Sequence, residues 1–185
     1  LDASMIIDTL AALEENGHPL VKDGTTIEIF ENYRKIATDD ECFDHFCRYV
    51  SSDFFTNGYV NGAEDALCNI LETGNKTEVC AVLHSVYEDL HDAIEDDDIE
   101  TLSNFTDKLL DSMFSIFDRD DLKSDEEILE WLFSSLSKVS DCVESSFTDE
   151  RIDKIITIYA NLPKSEAKTD GLSLLQKVDT GFDGD

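Results

Sequence analysis

The sequence is poor in helix-breaking residues and in positive charge. Its 185 residues include two prolines and eight glycines, and fourteen lysines and arginines stand against forty-three aspartates and glutamates. Low proline and glycine, with 41% hydrophobic residues, argue against a disordered acidic tail. No apolar run approaches the roughly 18 residues of a membrane-spanning helix. We therefore expect a folded chain with its own core that does not bind membranes.

Sequence motifs of catalysis are also missing. The chain has no glycine-rich phosphate loop and no G-x-S-x-G nucleophile motif. Its five cysteines include no C-x-x-C pair, and most fall on apolar positions of predicted helices, where cysteine acts as a small hydrophobic residue. An odd cysteine count in a chain large enough to form a core favours reduced thiols and a cytoplasmic location. We predict no catalytic residue, no cofactor and no enzyme activity.

Apolar residues recur at helical spacing along almost the whole chain. Gly17, Gly74 and Pro163 are stop signals, and two capping boxes are predicted, T-D-D-E at 38–41 and S-D-E-E from Ser124. The predicted helices cover residues 3–16, 26–36, 38–50, 63–73, 77–94, 99–117, 124–139 and 149–162. Alternating strand patterns are nearly absent, and short connections favour antiparallel neighbours. The sequence predicts an all-α fold, a single compact bundle of about eight mostly antiparallel helices over residues 1–163.

Residues 164–185 are predicted to be a polar C-terminal tail. The apolar residues in this segment are Leu172, Leu174, Leu175, Val178 and Phe182. One interpretation is a tail that packs a short turn onto the helical domain. The other is a docking segment for a partner. Composition alone does not separate the two.

The acidic residues are concentrated in one stretch. The net charge of −29 is far beyond the roughly 2–8 units that suffice for solubility. Between Lys76 and Lys108, thirty-one residues include ten acids and no lysine or arginine. Glu88, Asp92 and Glu95 share the outer face of the predicted helix, about 5 Å apart along its axis, where a nucleic-acid strand carries one phosphate per about 3.4 Å. Such a surface repels nucleic acid and attracts basic proteins.

These observations predict an acidic binding face on the fifth helix and on the turns at residues 95–100 and 118–127. Its residues are Glu88, Asp89, Asp92, Glu95, Asp96, Asp97, Asp98, Glu100, Asp118, Asp120, Asp121, Asp125 and Glu126. In charge and size the chain resembles the DNA-mimic inhibitors that phages, plasmids and bacteria direct against DNA-binding proteins. The resemblance lies in composition, so it transfers no residues. It implies a non-catalytic protein that occupies a basic, nucleic-acid-binding protein surface and does not bind nucleic acid itself.

An apolar groove is the alternative binding site. The stretch D-F-F-T-N-G-Y-V-N-G is rich in aromatic and turn-forming residues. A groove formed by Phe54, Phe55 and Tyr59 would make the chain a helical adaptor or scaffold. The acidity would then serve solubility.

The fifth predicted helix also carries side chains of the kinds that bind metal ions. His84, Glu88, His91 and Glu95 fall on one stripe and include the Glu-x-x-His spacing of di-iron bundles. Such a site needs a second pair, and the only other match, residues 15–18, crosses the helix stop at Gly17. The acidic turn at 118–129 lacks the glycine and the bidentate glutamate of a calcium loop. We predict no metal site.

Overall fold

The computed structural model describes residues 3–18, 22–36, 40–56, 62–143, 146–179 and 181–182. Within these ranges every regular element is helical, which confirms the all-α prediction. The ten α-helices are α1 (Ala3–Glu15), α2 (Thr25–Ile36), α3 (Asp40–Thr56), α4 (Ala63–Thr73), α5 (Lys76–Glu95), α6 (Ile99–Ser103), α7 (Asp107–Ser115), α8 (Glu126–Cys142), α9 (Asp149–Asn161) and α10 (Glu166–Val178). Across the described part of the chain, none of them is both long enough and apolar enough to cross a membrane.

Local capping sets the start of α5 and of α8. The Asn75 side chain accepts from the Glu78 N–H at 2.9 Å, and the Glu78 carboxylate accepts from the Asn75 N–H at 3.1 Å, a complete capping box. At α8 a single side-chain cap replaces the predicted capping box, because Asp125 and not Ser124 accepts the N–H of Ile128, at 3.2 Å. The box predicted at 38–41 includes residues outside the described ranges.

Helix α5 is the centre of the bundle. It packs against α3 on one side and α8 on the other, while α8 also packs on α10 and α4 packs on α7. The fully buried residues of its inner face include Val82, Leu83, Val86 and Leu90. Each such side chain contributes about 1.5–3 kcal/mol when it is removed from water. The opposite face of α5 is therefore left at the surface.

The single helix predicted over 99–117 is wrong, because the chain breaks between α6 and α7. Asn104 turns its side-chain amide away and donates to the carbonyl of Phe55 at 2.5 Å, near the end of α3. Thr106 then begins α7 by accepting the N–H of Leu109 at 3.2 Å. Two polar side chains, one bound to a distant carbonyl, thus divide the predicted helix.

The C-terminal segment contains a helix of 13 residues, α10, and not the short turn that the sequence suggested. Leu174 and Leu175 are fully buried in the core shared with α8. At Gly171 a Cβ atom would lie 3.2 Å from the Phe133 ring, so glycine allows this close approach of the two helices. The apolar face of α10 is thus occupied by the chain itself.

Two charged side chains bind the ends of other helices. The Glu14 carboxylate accepts from the Thr26 hydroxyl at 2.6 Å and from the Thr26 N–H at 3.1 Å, at the start of α2. Arg119 donates to the carbonyls of Leu71 at 3.0 Å and Gly74 at 2.5 Å, at the end of α4. The negative charge of Glu14 lies at a helix N-terminus and the positive charge of Arg119 at a helix C-terminus, and the helix dipole favours both placements.

Candidate acidic binding surface

The outer face of α5 carries the predicted carboxylate stripe. Asp92 and Glu95 are exposed, and Glu88 is half-buried. Glu88 lies 3.7 Å from the Nε2 atom of His84, and Glu95 lies 3.4 Å from that of His91. The period of the sequence therefore places these three carboxylates on one surface, as predicted.

The stripe continues into a tight turn of three aspartates. The N–H of Asp98 donates to the Ala93 carbonyl at 2.9 Å and that of Asp97 to Ile94 at 3.3 Å, which is the Schellman pattern of a helix end. The Asp98 carboxylate then caps α6 by accepting from the hydroxyl and the N–H of Thr101 at 2.7 and 3.1 Å. These hydrogen bonds lower the pKa of Asp98, the hydroxyl bond most of all.

The turn carries charge at the expense of local stability. Asp97 has a φ of 54°, a left-handed conformation that usually belongs to glycine and disfavours other residues by about 1–2 kcal/mol. Acids at a helix C-terminus also oppose the helix dipole, by about 0.3–1 kcal/mol each. The last turn of α5 contains no basic residue to offset this. Stability alone would select glycine and lysine here.

Ile99 lies exposed among these acids. Its side chain is 72% exposed, although most large apolar residues of the described chain are buried. The apolar period of the sequence gives no sign of this exposure, because it places Ile99 in a long amphipathic helix over 99–117. We name this surface the acidic ridge. It consists of Glu88, Asp92, Glu95, Asp96, Asp97, Asp98, Ile99 and Glu100.

The ridge differs from the second predicted acidic group in its ion pairs. Among the described residues, no lysine or arginine lies within ion-pair distance of a ridge carboxylate, and the basic groups within that distance are His84, beside Glu88, and His91, beside Glu95. Four of the five acids of the second group, all except Glu126, pair with cations of the chain itself. The pairs are Asp118–Lys154 at 2.8 Å, Asp121–Arg119 at 2.7 Å, Asp125–Lys76 at 3.0 Å, and Asp120–Lys123.

The two acidic groups also lie at opposite ends of α5. Asp125 pairs with Lys76, the first residue of the helix, whereas the ridge surrounds its last residue, Glu95. A helix of 20 residues is about 30 Å long. The residues at 118–126, including the exposed Glu126, therefore form a separate surface and do not extend the ridge.

Asp89 does not belong to the ridge either. It is half-buried against α3, where the hydroxyl of the fully buried Ser51 donates to it at 2.5 Å. Burial raises the pKa of Asp89 to about 6, although the Ser51 hydrogen bond and the positive charge of Arg48 act in the opposite direction. The carboxyl group faces the interior and not a partner.

The aromatic residues of the alternative groove are placed differently from one another. Phe55 is fully buried and stacks on Phe105 with ring centroids 6.2 Å apart. Phe54 is half-buried with its ring edge against Phe55. Tyr59 lies outside the described residues. Phe55 thus serves the core and offers no surface to a partner.

The remaining reactive groups are the histidines and cysteines of the described chain. There, no three histidine, cysteine, aspartate or glutamate side chains converge as metal ligands. His84 packs on Trp131 at 4.6 Å between centroids, and His91 stacks on Tyr87 at 5.9 Å. Burial raises the pKa of the Cys80 thiol to about 11, so it stays protonated at neutral pH and is a poor nucleophile.

The geometry of the ridge is therefore the principal guide to function. It combines carboxylates that pair with no lysine or arginine of the described chain, one exposed isoleucine and a strained turn. No protein-family model matches the chain, and neither a curated protein nor a solved structure shows detectable similarity to it.

Proposed function

We propose that this chain is a non-catalytic binding protein whose acidic ridge engages a basic surface of another protein, of the kind that otherwise binds nucleic acid. One observation carries the proposal. Acids at the far end of α5 are paired with the chain's own lysines and arginines, whereas the described carboxylates of the ridge are not. Lysine and arginine side chains of a partner would complete these missing pairs.

The dimensions of the ridge suit such a role. From Glu88 to Glu95 it extends about 10 Å along α5, the distance that about three phosphates occupy along a nucleic-acid strand. The negative field of the whole chain would steer a basic partner toward it. Ile99 would add an apolar contact at the α6 end of the ridge, where its exposed side chain could be removed from water.

An adaptor that binds through an apolar groove has less support, because Phe55 is part of the core.

The location proposed for the protein is the reducing cytoplasm. The cysteines that the structure describes support it, since Cys47, Cys68, Cys80 and Cys142 all carry free thiols.

The test compares two triple variants of equal charge. The ridge variant carries Asp92→Asn, Asp96→Asn and Asp97→Asn, and the control, at the far end of α5, carries Asp120→Asn, Asp121→Asn and Glu126→Gln. Each immobilised protein is loaded at low salt with a whole protein extract of the native host and eluted with a salt gradient. We expect the ridge variant to release its partners at lower salt, because it offers them fewer ion pairs and salt screens those that remain.

Duplex DNA should also displace the partners from the unmodified protein, because both compete for one basic surface. The control variant should bind almost as the unmodified protein does. Equal elution of the two triple variants would contradict the proposal. So would recovery of neutral or acidic partners alone.

A further inference from the structure

A cleft of about 450 Å³ lies one helical turn from the ridge, between α3, α5 and α8. It is lined by Asp44, Lys76, Thr77, Cys80, Ala81, His84, Glu127 and Trp131. His84 joins it to the ridge, because the same ring contacts Glu88 at 3.7 Å and packs on Trp131. Trp131 is half-buried, so part of its ring faces the cleft.

The charges in this cleft leave one carboxylate without a lysine or arginine. Lys76 pairs with Asp125 at 3.0 Å and with Glu127 at 2.8 Å. Asp44, on α3, lies 3.8 Å from the Nδ1 atom of His84, and no lysine or arginine of the described chain pairs with it. Two carboxylates therefore share one ammonium group, and a third remains available to a cation.

In a second cleft of the protein, an aromatic ring and carboxylates together bind an arginine side chain. In the cleft of about 580 Å³ lined by α7 and α9, the guanidinium of Arg151 lies 5.7 Å from the centroid of Phe114. It also lies 2.6 Å from Asp111 and 3.5 Å from Asp107. An aromatic ring beside carboxylates thus already binds an arginine within this chain. The Trp131 cleft has the ring and the carboxylate but, among the described residues, no arginine of its own.

We propose that the Trp131 cleft receives an arginine side chain of the basic partner, with the guanidinium over Trp131 and paired with Asp44. The inference rests on the proposed function, since the arginine belongs to the protein that binds the ridge. Arginine fits better than lysine because its planar guanidinium stacks on an aromatic face and pairs with a carboxylate through two N–H groups.

The probe is N-acetyl-arginine amide, with N-acetyl-lysine amide as a cation of equal charge. Trp131 is the single tryptophan of the sequence, so its fluorescence reports on this cleft alone. We expect a saturable change with the arginine probe and a weaker one with the lysine probe. Asp44→Asn should weaken the arginine probe about tenfold, the effect of losing one hydrogen bond to a charged group.

The matched control is Asp153→Asn, which removes the same charge from an exposed position on α9 and should leave the titration unchanged. Circular dichroism verifies that both variants are folded. A fluorescence change that does not saturate, an equal response to both probes, or an unaffected Asp44→Asn variant would overturn the inference. The probe is used without a partner, so failure here leaves the ridge experiment standing, and failure of the ridge experiment leaves this result standing.

Discussion

Replacing Asp89 by asparagine should stabilise the protein at neutral pH. The carboxyl group is half-buried between α5 and α3, and burial raises its pKa to about 6. Asparagine has nearly the same shape and keeps an oxygen that accepts the hydroxyl of Ser51. The substitution therefore removes a partly desolvated charge without removing its hydrogen bond.

The magnitude follows from the difference in pKa between the folded and unfolded states. The unfolded value is about 3.9, and each unit of difference corresponds to about 1.4 kcal/mol. Because the folded state binds the proton more tightly, the stability that protonation provides is present at acid pH and is lost as the pH rises through about 6. At pH 7.5 the charged form thus destabilises the fold by up to about 3 kcal/mol. Since Asp89 is partly solvated, we expect a gain of about 1–3 kcal/mol for Asp89→Asn.

The assay is urea unfolding of the variant and the unmodified protein at pH 5.0 and 7.5. The difference between the two proteins at each pH is compared, so that the general effect of pH on so acidic a chain cancels. Asp92→Asn is the control, because it removes one charge from the exposed face of the same helix. The gain from Asp89→Asn should be largest at pH 7.5 and about half as large at pH 5.0, because pH 5.0 lies between the unfolded and folded pKa values, whereas the control should show little dependence on pH. An equal gain at both pH values, or destabilisation at pH 7.5, would refute the reasoning.

Two further predictions concern helix ends. Asp97→Gly should raise the free energy of unfolding by about 1 kcal/mol, because glycine tolerates the φ of 54° and carries no charge against the dipole of α5. Thermal unfolding measures the change in stability. The variant Asp97→Asn removes the charge but keeps a side chain, so it separates the effect of charge from that of conformation. A glycine variant less stable than the unmodified protein would contradict the prediction. Arg119→Met should destabilise the fold by about 2–4 kcal/mol, because two carbonyls at the end of α4 lose their donor. In urea unfolding, Asp121→Asn should change little by comparison, and equal effects of the two substitutions would count against this account.

The sequence predicted what depends on neighbours within one helical turn. The apolar period predicted the helices, and Gly17, with a φ of 62°, follows α1 as expected. The outward position of Glu88, Asp92 and Glu95 followed from the same period. These features depend on spacing along one helix, and a sequence displays spacing directly.

Contacts between distant segments account for the errors. The break before α7 depends on the hydrogen bond from Asn104 to Phe55, 49 positions earlier in the chain. Asp89 lies on the same helix as the predicted face, but its carboxyl group contacts α3, where it accepts a hydrogen bond from Ser51. The ion pair between Lys76 and Asp125 places the acidic turn at 118–127 beside the start of α5. The acidic turn at 95–100 lies at the other end of this helix, so the two turns do not form the single face predicted from the sequence. None of these partners lies near its counterpart in the sequence.

The strained end of α5 links partner binding to the order of the helix itself. Carboxylates there repel the partial negative charge of the last carbonyl groups, so the final turn is held less firmly than the buried middle. A bound cation would neutralise both the carboxylates and the partial negative charge of the carbonyl groups, and it would tighten that turn. By linkage, any ion that orders the terminus is bound more strongly by the ordered form. A rigid turn at 96–98 would then be as much a product of association as a precondition for it.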